Sequence, residues 1–181
     1  MRSFAGAASL VLALTSSALA ADKQSADVAD PWYVACYGRR CSMSHNLLGK
    51  EPGAAPFEIT LGLHFDRSTG KLSAVAAKAP PDADHDRGIE ISFMDGSDPQ
   101  KTTVAFTVPL APCDDTGCMG SIEFGPSAGR DLQADFVENV MKHQVLAVSY
   151  HTKGQRKVAM ENARHFRAEY PNLLAEMKKP Q

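Results

Sequence analysis

The sequence predicts a mainly β protein, an antiparallel β-sandwich with one internal helix and a helical C-terminal tail. Three observations predict it. Short alternating apolar runs recur at regular intervals between turn residues, as in two-sheet β proteins. The apolar period lengthens to that of a helix at Leu132–Met141, and the tail is helical in composition. Four cysteines fall into two identical short spacings, Cys36-x4-Cys41 and Cys113-x4-Cys118.

The first strands are legible as a hairpin. Trp32, Val34 and Cys36 alternate with Tyr33 and Ala35, and Cys41, Met43 and His45 alternate with Ser42, Ser44 and Asn46. A four-residue loop Tyr37-Gly38-Arg39-Arg40 would set Cys36 against Cys41, Val34 against Met43 and Trp32 against His45, all on one side of the ribbon. Phe57, Ile59, Leu61, Leu63 and Phe65 form the clearest strand, ended by the turn at Asp66–Gly70. Further strands are expected at 72–77, around Ile89, Ile91 and Phe93, around Val104, Phe106 and Val108, and near Ile122 and Phe124. Leu132, Phe136 and Val140 then recur every four residues, which predicts an amphipathic helix. Val145–His151 is apolar on both sides and reads as a buried strand, followed by a strand at Arg156–Met160. The tail Asn162–Lys179 is helical in composition, with Pro171 expected to divide it.

The N-terminus reads as a cleavable export signal. Arg2 supplies a positive start, an apolar run follows from Phe4 to Leu14, and Ala18-Leu19-Ala20 has the small residues of a cleavage site. That run is shorter than the roughly 20 apolar residues a membrane-spanning helix needs. The expected organisation is a signal peptide at 1–20, a flexible segment at 21–31, a sandwich at 32–160 and a helical extension at 161–181. The chain holds 19 basic and 21 acidic residues, so losing Arg2 leaves 18 against 21, a net charge of −3. That balance argues against a nucleic-acid partner. Charge is nonetheless uneven: Asp82–Asp98 is acidic and His151–Lys179 basic. Both stretches read first as solvated surface.

Export bears on the cysteines. In an oxidising compartment they are expected as disulfides, whereas paired short spacings in a reducing one would suggest zinc. Four cysteines allow three connectivities. The hairpin register favours Cys36–Cys41, and equal spacing suggests Cys113–Cys118 by symmetry.

Together, Trp32-x-x-x-Cys36, Cys41-x-Met43-Ser44, a second cysteine pair ahead of a helix, and the late strand Val145–Tyr150 resemble the invasion-associated locus B family of exported bacterial proteins. The resemblance runs from Trp32 to about Tyr170 and is strongest in the cysteine pairs and the unit Leu132–Tyr150. It implies an immunoglobulin-like sandwich, export past the inner membrane of a Gram-negative bacterium, and no established catalytic chemistry. Some pathogenic members of that family act in host-cell entry. This chain departs from the family pattern at Lys78–Asp86, where relatives carry an apolar run, and in its basic extension beyond Tyr170.

Three motifs carry alternative chemistry. Gly125-Pro126-Ser127-Ala128-Gly129 matches the G-x-S-x-G turn that exposes a nucleophilic serine, and Asp135 with His143 or His151 would follow in triad order. The alternating parallel units of that hydrolase fold are missing from the pattern, and a glycine-rich loop entering a helix explains the same residues. Asp82-x-Asp84-x-Asp86 resembles the opening of a calcium loop, but Gly88 comes one position late and Phe93 stands where the bidentate glutamate belongs. The histidines show no helical metal-binding pair; His45 reads as a half-buried sheet residue, and His64 lies on a polar strand face. The basic residues Arg156, Lys157, Arg164, Arg167, Lys178 and Lys179 suggest contact with anionic lipid or polysaccharide, or simply a solvated helix face.

The expected function is therefore binding rather than catalysis, in the periplasm or at the cell surface, with an envelope or host protein as partner and without a cofactor or a transmembrane segment. The rivals are a small exported serine hydrolase using Ser127 and a metal-responsive protein using Asp82, Asp84 and Asp86.

Overall fold

The computed structural model describes residues 31–96, 104–124 and 132–180. The segment 1–20, expected as an export signal, and Ser127 lie outside them.

Strand β1 (Tyr33–Tyr37) and β2 (Arg40–Gly49) form the first hairpin, followed by β3 (Phe57–Asp66) and β4 (Leu72–Ala79). Strands β5 (Ile89–Met94), β6 (Val104–Val108) and β7 (Cys118–Glu123) come next, and helix α1 (Leu132–Lys142) enters before β8 (Val145–His151) and β9 (Arg156–Asn162). Helix α2 (Ala163–Met177) follows β9 directly. All strand pairings are antiparallel, in one sheet ordered β1-β2-β3-β4-β7 and another ordered β6-β5-β8-β9. Counted from β3, the first, second and fifth strands share one sheet and the fourth, third, sixth and seventh share the other. This is the immunoglobulin-type order with its fourth strand in the second sheet. The hairpin β1–β2 extends the first sheet.

Period two decides what meets in the core. Met43, Ile59, Leu61, Leu63, Phe65 and Val75 from the first sheet share one buried cluster with Ile89, Ile91, Leu146, Val148 and Ala159 from the second. In α2 the buried positions Ala163, Phe166, Leu173 and Met177, with half-buried Tyr170 between, follow a three-then-four spacing. That stripe packs Phe166 against Trp32 at 5.3 Å and Tyr170 against Phe65 at 6.2 Å between ring centroids. The helix thus closes the side of the sandwich where β1 and β2 stand opposite β9.

Pro171 does not divide the tail. It sits inside one continuous α2, on the exposed side. A proline here removes one N–H donor, but the apolar stripe on the opposite side carries the helix through. Asn162 starts it by accepting from the Arg164 N–H at 3.0 Å. Arg67 ends it, donating from Nε to the Met177 carbonyl at 3.1 Å, a cation placed at the negative end of a helix.

The first hairpin keeps the expected register, Val34 opposite Met43 and Cys36 opposite Cys41, but its turn is tighter than four residues. Tyr37 and Arg40 are already paired, so only Gly38 and Arg39 make the turn. Gly38 takes φ +54°, the left-handed region that such two-residue hairpins demand.

Both Cys36–Cys41 and Cys113–Cys118 are disulfides. The second closes a turn organised by Asp114, whose Oδ1 accepts from the Thr116 and Gly117 N–H groups at 2.8 and 3.1 Å. Each bridge spans a sequence separation of 5, and loops that short constrain the unfolded chain modestly. Replacing Cys113 and Cys118 together by alanine is expected to lower unfolding free energy by about 2 kcal/mol, measured by urea titration of the oxidised protein.

Candidate functional sites

Strand alternation turns one face of the first sheet away from the core. On β1 the residues Tyr33, Ala35 and Tyr37 point away from the core, because Trp32, Val34 and Cys36 point toward it. Ladder pairing extends the row from Tyr33 through Ser44, Gly62, Ala76 and Ser121. The next row runs from Ala35 through Ser42, His64 and Ala74 to Glu123. The middle of this face is made of small side chains. Its margins carry large ones: Tyr33 is 62 % exposed, Tyr37 82 %, Met119 61 % and Leu48 58 %. Tyrosine offers contact area with little rotamer entropy to lose, a property common at protein interfaces. His64 lies within the face; burial first, and the nearby Arg40 charge second, lower its pKa and keep it neutral.

A second set of polar side chains lies between the sheets. His45 from β2 and Glu161 from β9 face each other across the core, with His45 Nε2 3.3 Å from Glu161 Oε2. The other oxygen, Oε1, meets His165 Nδ1 at 2.6 Å, one turn into α2. His45 is fully buried rather than half-buried, and its ring stacks on Trp32 at 5.1 Å. Burial alone would raise the pKa of Glu161. Hydrogen bonds from His45 and His165 outweigh it and hold the carboxyl below its ordinary range.

A third set sits on the other face of the second sheet. Glu90 Oε1 meets His151 Nε2 at 3.2 Å, and Glu90 Oε2 accepts from Arg156 Nε at 3.0 Å and from the Ser149 hydroxyl at 3.2 Å. The serine proton therefore goes to the carboxylate and not to the histidine, which is not the order of a nucleophile and its base. His143, the other histidine in the expected triad order, is engaged by Asp95 at 3.2 Å. Ser127 and the Asp135 side chain lie outside the described residues.

The acidic loop is distributed rather than convergent. Asp82 pairs with Lys157 at 3.6 Å, the Asp84 N–H bonds the His151 carbonyl at 2.7 Å, and Asp86 meets His85 at 3.4 Å. No group of three or more His, Cys, Asp or Glu side chains among the described residues has the geometry to hold a metal ion. Several basic residues near the C-terminus are likewise engaged internally. Arg156 binds Glu90, and Arg167 caps α1 by donating to the Val140 and His143 carbonyls at 3.0 and 2.8 Å. No described helix is long and apolar enough to cross a membrane.

Sequence reasoning missed the Glu161 cluster. The sequence marks Glu161 only by its place two residues after the core residue Ala159, on the same side of the last strand. No family model matches the chain, and neither a curated protein nor a solved structure is detectably similar to it.

Proposed function

We propose that this is an exported bacterial protein of the invasion-associated locus B type, acting without catalysis by binding another protein in the periplasm or at the cell surface. The observation that carries the reading is the outer face of the first sheet, a floor of small side chains between exposed Tyr33, Tyr37 and Met119. A flat floor admits close approach of a second backbone or helix, and rigid aromatic margins anchor it. The two disulfides and the leader-like start fit an oxidising, exported setting.

Gly62 gives a clean test. A Cβ built there meets Ala76 and His64 only at 3.8 Å, so Gly62→Arg places a long charged side chain on the face with little effect on folding. With a photo-crosslinking amino acid at Tyr33, intact envelopes are expected to yield one discrete adduct that disappears in Gly62→Arg. Crosslinks that survive Gly62→Arg, or labelling of Ser127 by a serine-reactive fluorophosphonate, would overturn the reading.

A further inference from the structure

Three stretches far apart in sequence meet at one corner of the molecule. They are the β1–β2 turn with Arg39 and Arg40, the β3–β4 turn with Arg67 and Lys71, and the end of α2 with Lys178 and Lys179. Arg67 ties them together. Its N–H bonds the Arg39 carbonyl at 2.9 Å. Its guanidinium donates to the Gly38 carbonyl at 3.3 Å and to the Met177 and Glu176 carbonyls at 3.1 and 3.3 Å. The Asp66 N–H bonds the Lys71 carbonyl at 2.8 Å, which closes the middle turn.

The corner is positive although the chain as a whole carries −2. Arg39, Arg40, Lys71 and Lys178 are exposed, and none of them forms an ion pair with a described residue. Two carboxylates stand among them. Glu176 pairs with Lys179, and Asp66, opposite Arg40 in the ladder, accepts from the Ser68 and Thr69 N–H groups. Six cations thus face two carboxylates. Like charges gathered on one corner raise the local potential and favour an anionic partner.

The form of the corner selects among anions. Each stretch is a turn or a helix end, so the cations project from the sandwich instead of lining a groove. Such an array suits phosphates spread over a plane, whereas a single polyanion strand is better tracked by a groove. Tyr37, 82 % exposed, stands beside the same turn. A tyrosine flanked by arginines seats at the headgroup level of a bilayer, with its ring at the acyl boundary and its hydroxyl in water.

We propose that this corner docks the protein on a bilayer surface rich in phosphate-bearing anionic lipid, with Tyr37 seated among the headgroups and the cations over their phosphates. The test is co-sedimentation of the signal-free, oxidised protein with vesicles of phosphatidylcholine alone, or of phosphatidylcholine with about one third phosphatidylglycerol. Binding is expected to the anionic vesicles only, at about 0.1 M salt, and to be lost at about 0.5 M. Arg39→Glu with Lys71→Glu is expected to weaken it about tenfold or more at an unchanged melting temperature. Lys50→Glu with Lys153→Glu makes the same change of net charge on exposed residues at the opposite end of the sandwich, and should leave binding within about twofold. Tyr37→Ser should weaken it about fivefold without a change of charge. Gly62→Arg, which addresses the outer sheet face, should not reduce it, so the two readings fail separately. The proposal is overturned by equal sedimentation with both kinds of vesicle, by the distant pair weakening binding as much as the corner pair, or by Tyr37→Ser binding like the wild type. Retention on heparin that the corner pair abolishes, without vesicle binding, would assign the corner to a polysaccharide and overturn it equally.

Discussion

Phe166→Ala is expected to lower the unfolding free energy by about 3–5 kcal/mol, the range for truncating a buried aromatic residue. Phe166 is 0 % exposed and sits at the centre of an aromatic seam. On one side it meets the Trp32 ring edge-on at 5.3 Å, and on the other it stacks with Tyr170 at 5.4 Å. Trp32 in turn stacks on His45. Truncation opens a void bordered by three elements, β1, β2 and α2, so the walls have no single way to collapse. The cost should stand at the upper end for that reason. For a domain of this size the melting temperature should fall by roughly 10 °C or more. A fall of only a degree or two in a calorimetric scan would mean that α2 does not seal the core.

Glu161→Ala is expected to remove about 3 kcal/mol at neutral pH, because it breaks a buried pair and strands His45. The wild-type protein should show the matching acid sensitivity. Glu161 has a folded-state pKa below its ordinary 4.5, so the unfolded chain binds the proton more readily. Stability from this group is complete above about pH 4.5 and falls as pH drops through the lower folded value. Urea titrations from pH 6 downward should show that loss in the wild type. In Glu161→Gln it should be smaller, since the glutamine does not titrate. Identical pH profiles for the two proteins would show that Glu161 does not carry the effect.

The local parts of this fold were legible because period two is local. Trp32, Val34 and Cys36 name their partners His45, Met43 and Cys41 within a few residues of one turn, and the disulfide follows from the same alternation. The strand Val145–His151 was legible from its apolar run. What the chain does not announce is which strand faces which across the sandwich. Nothing near His45 points to Glu161, since β2 and β9 share no ladder and meet only through the core. The same holds for Asp82. In sequence it belongs with Asp84 and Asp86 as a cation loop; in space Lys157 of β9 takes it instead. Pro171 misled in the opposite direction. A local rule against proline within helices yielded to the buried stripe Phe166, Leu173 and Met177.

The helix that seals the aromatic seam also sets an order of events. Each disulfide joins residues a sequence separation of 5 apart, so each can close as soon as its own short loop has emerged. The contact between Arg67 and the end of α2 spans 110 residues. Contacts that distant form late, after the intervening loop entropy has been overcome. Oxidation is thus expected to precede closure: the bridges form on an open, half-built sheet, and Trp32 stays wet until α2 arrives.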